Sequence, residues 1–234
     1  MSTFVLIHGG GSSAWDWHLV APELEAAGHD VVAIDLPTEE PGRTWADMAD
    51  AVVAAIGDRT DLVVVGHSFG GFTATLVAAR VAARALVLVA GMIPVPGEPA
   101  GEWWESSGQA AAWRASGNHE LDETAGFLHD VAPALAAEAL ERSRGTESPS
   151  MTEPWPLDAW PDVPTRYLLC RDDRFLPADW LRGYVSERLG VPPDEIDGSH
   201  CVYLSRPKEL ATRLQALASA AAASNTRNGS MGVR

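Results

Sequence analysis

The 234-residue sequence predicts an α/β fold with a mostly parallel sheet, and three observations carry that prediction. Short β-branched runs alternate with longer stretches of helical period, the signature of repeated strand-helix-strand units. Two glycine-rich turns, HGGG and GHSFGG, each follow an apolar run. Hydrophobic residues make up 46% of the chain and charged residues 21%, a composition able to pack one sizeable core.

The elements follow in order. Residues 4–7 read as the first buried strand and residues 19–27, with apolar positions at helical spacing, as the first helix. Residues 31–34 give the second strand. Residues 45–56 give a helix whose start is marked by Thr44 with Asp47 three positions on, the acidic form of a capping box. Strand 62–65, helix 69–83 and strand 86–89 complete the first run of alternation. It then stops. Residues 94–164 hold no convincing strand but many prolines, glycines and tryptophans. Structureless loops of that length are rare in compact domains, so the segment predicts a helical cap over the carboxyl end of the sheet, with 128–142 its most regular helix. A strand at 167–169, a helix at 178–189, an extended stretch around Glu195 and Ile196, and a last helix at 207–222 with Ser205 as N-cap close the fold. The organisation is a core of residues 1–93 and 165–222, a cap of residues 94–164, and a polar tail, residues 223–234, expected to be disordered.

Charge and composition exclude several functions. A formal net charge of -15 repels a phosphate backbone or an anionic membrane surface, so nucleic acid is not an expected partner. The single lysine, Lys208, sits in the last helix, which leaves Schiff-base and P-loop chemistry without a residue. Cys170 and Cys201 do not make a disulfide framework, and no Cys/His group has metal-ligand spacing. No apolar run approaches the roughly 20 residues needed to cross a bilayer, and the start of the chain lacks a basic region ahead of an apolar one. The expectation is a soluble, cytoplasmic protein that uses neither metal nor cofactor.

The segment LVVVGHSFGG carries the chemistry. A serine on a sharp strand-to-helix turn is held in a strained backbone, and its neighbours two positions away must be nearly free of side chain. Gly66 and Gly70 meet that demand around Ser68. The free amide of Phe69 at the helix start points toward a developing oxyanion. A serine hydroxyl needs a base, and the base needs an acid to hold its tautomer. Of the seven histidines, only His200 stands in a late loop before the terminal helix, where the chain order Ser, acid, His puts the base. Asp172 and Asp173, adjacent after the 167–169 strand, are both candidates for the acid, and the other is a turn residue paired with Arg171 or Arg174.

The turn HGGGSSAW admits a second chemistry. Gly9, Gly11 and Ala14 fit a dinucleotide-binding fingerprint, with Asp35 placed as a ribose-binding acid. However, the turn-like residues 12–16 occupy the place where that motif opens a helix, and the NAD-binding reading leaves Ser68 and His200 unexplained. Among the tryptophans, Trp15 and Trp17 are expected to pack the first helix on the sheet, and Trp104 is a candidate to line a pocket over Ser68 together with Phe127 and His129.

Taken together, HGGGSSAWDW, GHSFGG, CRDDRFLP and GSHCVYLSRP are similar to motifs of the α/β-hydrolase superfamily, in the branch of plant methylesterases, hydroxynitrile lyases and related bacterial esterases. The resemblance implies a serine hydrolase acting on a small-molecule ester through an acyl-enzyme, with Asp173 as the acid and the amide of Gly10 as the second oxyanion donor. It also implies two alternatives. Lyases of this branch carry a lysine after the catalytic histidine and a threonine where Gly9 stands at the pocket, and this chain has Cys201 and Gly9 there. Receptor-like members keep an intact triad with slow turnover.

Overall fold

The computed structural model describes residues 1–145 and 151–229, with side chains through Ala221. Its six strands form one parallel sheet in the order β2-β1-β3-β4-β5-β6. These are β1 (Thr3–Ile7), β2 (Asp30–Ala33), β3 (Leu62–His67), β4 (Ala83–Val89), β5 (Thr165–Cys170) and β6 (Asp194–Ile196). Every residue of β1 and β3 is buried, because helices cover both faces of the sheet. That is why these strands read as continuous apolar runs rather than alternating ones.

The chain steps outward from β1 to β2 and then back across to β3. With right-handed crossovers, this reversal sends successive helices to opposite faces. Accordingly α1 (Ala21–Ala26) packs beside the terminal helix α10 (Pro207–Gly229), while α2 (Trp45–Ile56) packs beside α3 (Gly70–Arg80). The reversal also places the loops after β1 and β3 side by side at the carboxyl edge, the position where open α/β sheets bind ligands. The capping box of α2 forms as expected, with the Thr44 hydroxyl accepting from the Asp47 amide and the Asp47 carboxylate accepting from the Thr44 amide.

Among the described residues, the 94–164 insertion contains the helices α4 (Trp103–Ser106), α5 (Gln109–Ala115), α6 (Glu123–Phe127) and α7 (Pro133–Glu141), with one isolated bridge between Pro99 and Pro154. The helix expected from residue 128 begins only at Pro133, whose ring suits a first helical turn and cannot sit deeper. Trp103 fixes the insertion to the core. Its buried indole N–H donates to the Tyr184 hydroxyl at 2.8 Å, and Tyr184, on α8 (Ala178–Leu189), donates in turn to the Ile93 carbonyl. At the other end of α7, the Arg144 amide and the Ser143 hydroxyl both donate to the carbonyl of Gly11, and Arg144 pairs with Glu39 at 2.9 Å.

Four expectations are corrected. Helix α3 stops at Arg80 because β4 already begins at Ala83. Ser205 is the last residue of the short helix α9 (Val202–Ser205) rather than a cap, and its buried hydroxyl has no partner among the described residues. Helix α10 continues past 222 to Gly229, so the tail expected to be disordered starts as helix, and residues 230–234 lie outside the described ones. Trp17 is buried in the core, but Trp15 is only half-buried, stacked on His18 and overlaid by Arg142 from the cap.

Close backbone approaches set which glycines are irreplaceable. A Cβ at Gly71 would collide with the Met92 carbonyl oxygen, whereas one at Gly126 on α6 meets nothing within 4 Å. Gly71→Ala should therefore cost about 2 kcal/mol or more and lower Tm by about 5 °C. Gly126→Ala should leave Tm unchanged or slightly raised, from its better helix propensity. Thermal denaturation of the two variants checks the contrast.

Candidate active site

Strand β3 ends at His67, and the next residue, Ser68, takes φ of +50°, a conformation that non-glycine residues rarely adopt. Backbone bonds hold it there. The Ser68 carbonyl accepts from the amides of Gly71 at 3.0 Å and Met92 at 2.9 Å. The flanking glycines are required by neighbours on both sides: a Cβ on Gly66 would meet Ala74 Cβ at 2.5 Å, and one on Gly70 would run into the His8 carbonyl at the end of β1. The sharp turn therefore follows from how closely α3 approaches β1.

The loop after β1 supplies the facing wall. Gly10 and Phe69 line the same cavity as Ser68, and among the described residues neither backbone N–H has a hydrogen-bond partner. Buried His8 holds this loop. Its Nε2 accepts from the Leu36 amide at 2.9 Å, so Nδ1 carries the proton and donates to the Gly9 carbonyl at 2.8 Å. Burial pushes its pKa down to about 4. Asp35 accepts from the Ala14 amide at 2.8 Å, and Ser13 caps a single 3-10 turn over Ala14–Trp17. The dinucleotide reading is thereby lost, since no α-helix opens at the third small residue and its ribose-binding acid is engaged.

The two adjacent aspartates separate cleanly. Asp173 Oδ2 accepts from His200 Nδ1 at 2.7 Å, while its Oδ1 accepts the amides of Phe175 and Leu176 at 2.8 and 2.9 Å. Asp172 instead accepts from the Gly198 amide at 3.0 Å and latches the histidine loop to the β5 end. Neither pairs with Arg171 or Arg174: Arg171 binds Glu195 and Asp197, and Arg174 donates to the Ala125 carbonyl. With Nδ1 committed to Asp173, the nitrogen of His200 left for the cavity is Nε2. The rings of Phe127, Phe175 and His67 surround the imidazole at centroid distances of 5.4, 5.2 and 4.8 Å. His67 Nε2 donates to the His200 carbonyl at 3.0 Å, tying the serine turn to the histidine loop. Ser68 Oγ has no hydrogen-bond partner among the described residues.

These groups share one cavity of about 410 Å³, within the range of small-molecule sites. Trp104 and Phe127 line it as expected, along with Phe175, Met92, Leu128 and Leu140. Gly9 and His129 do not. Gly9 lies behind the serine, where a Cβ would sit 3.1 Å from Ser68 Cβ, and His129, outside the cavity lining, has a buried Nδ1 with no partner among the described residues. Sequence reasoning missed Asp16, Cys201 and Tyr203 as lining residues and His8 and His67 as supports. Of these only Asp16, an acid between two tryptophans, carried a visible signal.

The model of the alpha/beta hydrolase family matches residues 4–213. The chain belongs to that family. Methylesterase 7 of Arabidopsis thaliana is 28% identical to this hydrolase, over 92% of this chain and 95% of its own. An alpha-hydroxynitrile lyase of the same plant is 26% identical, over 92% and 96%. The crystal structure of polyneuridine aldehyde esterase superposes with a TM-score of 0.77 at 21% identity, covering 93% of this chain and 99% of its own. The resemblance drawn from the four sequence motifs is borne out, and so is the fold.

The buried histidines give this hydrolase a defined acid response. His8 is neutral when folded, so its contribution to stability is complete above pH 6.5 and is lost as pH falls toward 4, by about 3 kcal/mol in total. His67, pushed well below its ordinary value by burial, acts in the same direction. Long-range proton-nitrogen correlation spectra should show His8 as the Nδ1–H tautomer with a midpoint near pH 4, and a midpoint near 6.5 would contradict the buried geometry.

Proposed function

We propose that this hydrolase cleaves small carboxylic esters through a Ser68–His200–Asp173 triad. The observation that carries the reading is the Asp173–His200 hydrogen bond, which leaves the imidazole turned to a cavity shared with a strained serine and two unpaired amides. Ser68 Oγ attacks the ester carbonyl while His200 Nε2 takes its proton. The amides of Gly10 and Phe69 receive the oxyanion, which stabilises charge only as it develops. His200 then protonates the departing alcohol, and a water deprotonated by the same nitrogen releases the acid. Asp173 holds the Nδ1–H tautomer throughout. The methylesterase and esterase relatives support this class of substrate.

The lyase alternative lacks its cation. Cys201 follows His200, and burial pushes its thiol well above the ordinary range, so no positive charge stands there to receive cyanide. A Cβ at Gly9 would also lie 3.1 Å from His67 Nδ1, leaving little room for a threonine.

A fluorophosphonate should label Ser68, identified by peptide mapping, and Ser68→Ala should lose p-nitrophenyl butyrate turnover by about 10⁴-fold or more. Labelling at another serine, or retained turnover, overturns the mechanism. Asp173→Asn should cost about 10³–10⁴-fold in kcat by releasing the imidazole tautomer. Asp172→Asn should cost less than about tenfold, because the amide oxygen still accepts from Gly198.

A further inference from the structure

Of the two acids that line the cavity without a part in this mechanism, Asp16 and Glu123, only Asp16 is buried. Asp16 lies in the 3-10 turn after the glycine loop, 7% exposed, and lines the cavity together with Ser68 and His200. Its Oδ2 is buried without a hydrogen-bond partner among the described residues. The hydroxyls of Ser12 and Tyr203 lie beside the carboxyl and favour its charged form. No arginine or lysine pairs with it among the described residues, and Arg142 on the same cavity wall is engaged by Glu138 at 3.0 Å. A buried carboxyl oxygen left without a donor is destabilising, here in a cavity whose other walls are largely aromatic and aliphatic. A ligand that brings a donor removes that cost.

Resting on the hydrolase reading of this cavity, we propose that Asp16 is a specificity-determining residue that accepts a hydrogen bond from the substrate, so that the preferred ester carries a hydroxyl or ammonium group near its carbonyl. A site with a buried polar group rejects analogues lacking the partner far more strongly than an apolar pocket rejects a missing methylene. The chain's charge of -15 adds long-range attraction for the ammonium form. Burial raises the Asp16 pKa to about 6, and the titratable groups that face it are His18, His200, Tyr203 and Cys201. The folded value lies above the ordinary 3.8, so the carboxylate accepts above about pH 6 and is protonated below it.

The test compares methyl butyrate with methyl 3-hydroxybutyrate and methyl 3-aminobutyrate, each rate divided by that of its alkaline hydrolysis. In the wild type, kcat/KM for at least one donor-bearing ester should exceed that for methyl butyrate by about tenfold or more at pH 7.5. The ratio should fall as pH drops through about 6, because the Asp16 carboxylate is then protonated and loses its acceptor strength. In Asp16→Leu the ratio should fall to about 2 or less. In Asp16→Asn the ammonium preference should vanish while part of the hydroxyl preference remains, which separates the two donors. Binding is measured in parallel by calorimetry in the Ser68→Ala background, where adding Asp16→Leu should weaken the donor-bearing ester about tenfold relative to methyl butyrate. Equal ratios and equal binding, with and without Asp16, overturn the proposal. An Asp16-dependent binding preference in a protein that neither turns over an ester nor accepts the fluorophosphonate overturns the hydrolase reading and sustains this one.

Discussion

The whole site depends on how closely helix α3 approaches the end of β1. Gly70 packs against the His8 carbonyl with no room for a side chain, and Gly66 is similarly closed off by Ala74. This contact forces the chain to reverse within one residue after β3, and Ser68 absorbs the strain with its positive φ. The same contact brings the glycine loop beside the helix start. The amides of Gly10 and Phe69 therefore reach one cavity from two separate segments. The placement of the Ser68 hydroxyl and of the Gly10 and Phe69 amides is thus the product of one packing event.

A second set of constraints positions the imidazole. His200 is held at Nδ1 by Asp173, at its carbonyl by His67, and around its ring by Phe127 and Phe175. Asp173 is itself fixed by two backbone amides, so the carboxylate cannot swing away. Asp172 secures the loop that carries the histidine. Four segments distant in sequence meet here, and every contact made by the histidine leaves Nε2 toward the cavity. In the proposed mechanism, this preorganisation is what activates the Ser68 hydroxyl without rearrangement of its surroundings.

Much of this was legible in the sequence, because the signals were local. A strand, a glycine-flanked serine and a helix occur within ten residues, and the alternation of apolar runs and helical periods gives the parallel sheet. Thr44 and Asp47 announce their helix start by chemistry alone. What was not legible came from three-dimensional neighbours. Asp172 and Asp173 have the same composition and nearly the same position, and only the loop's fold sends one to His200 and the other to Gly198. Gly9 and Gly10 are equally plain in sequence, yet one lies behind the serine and the other faces the cavity. Ser205 has the right residue type for a cap, but α9 and α10 meet so closely that it falls inside the preceding turn. Helix α7 starts late for a reason the sequence does contain, in the fixed φ of Pro133.

The hydrogen bonds from Arg144 and Ser143 to Gly11 join the end of the cap to the loop that carries Gly10. Any displacement of the cap's trailing end would pull on that loop, so the cap and the segment that carries Gly10 are mechanically linked. A chimaera that grafts a foreign cap onto this core must keep that junction, together with Glu39 as its ionic partner. Otherwise it would exchange selectivity and competence at the same time.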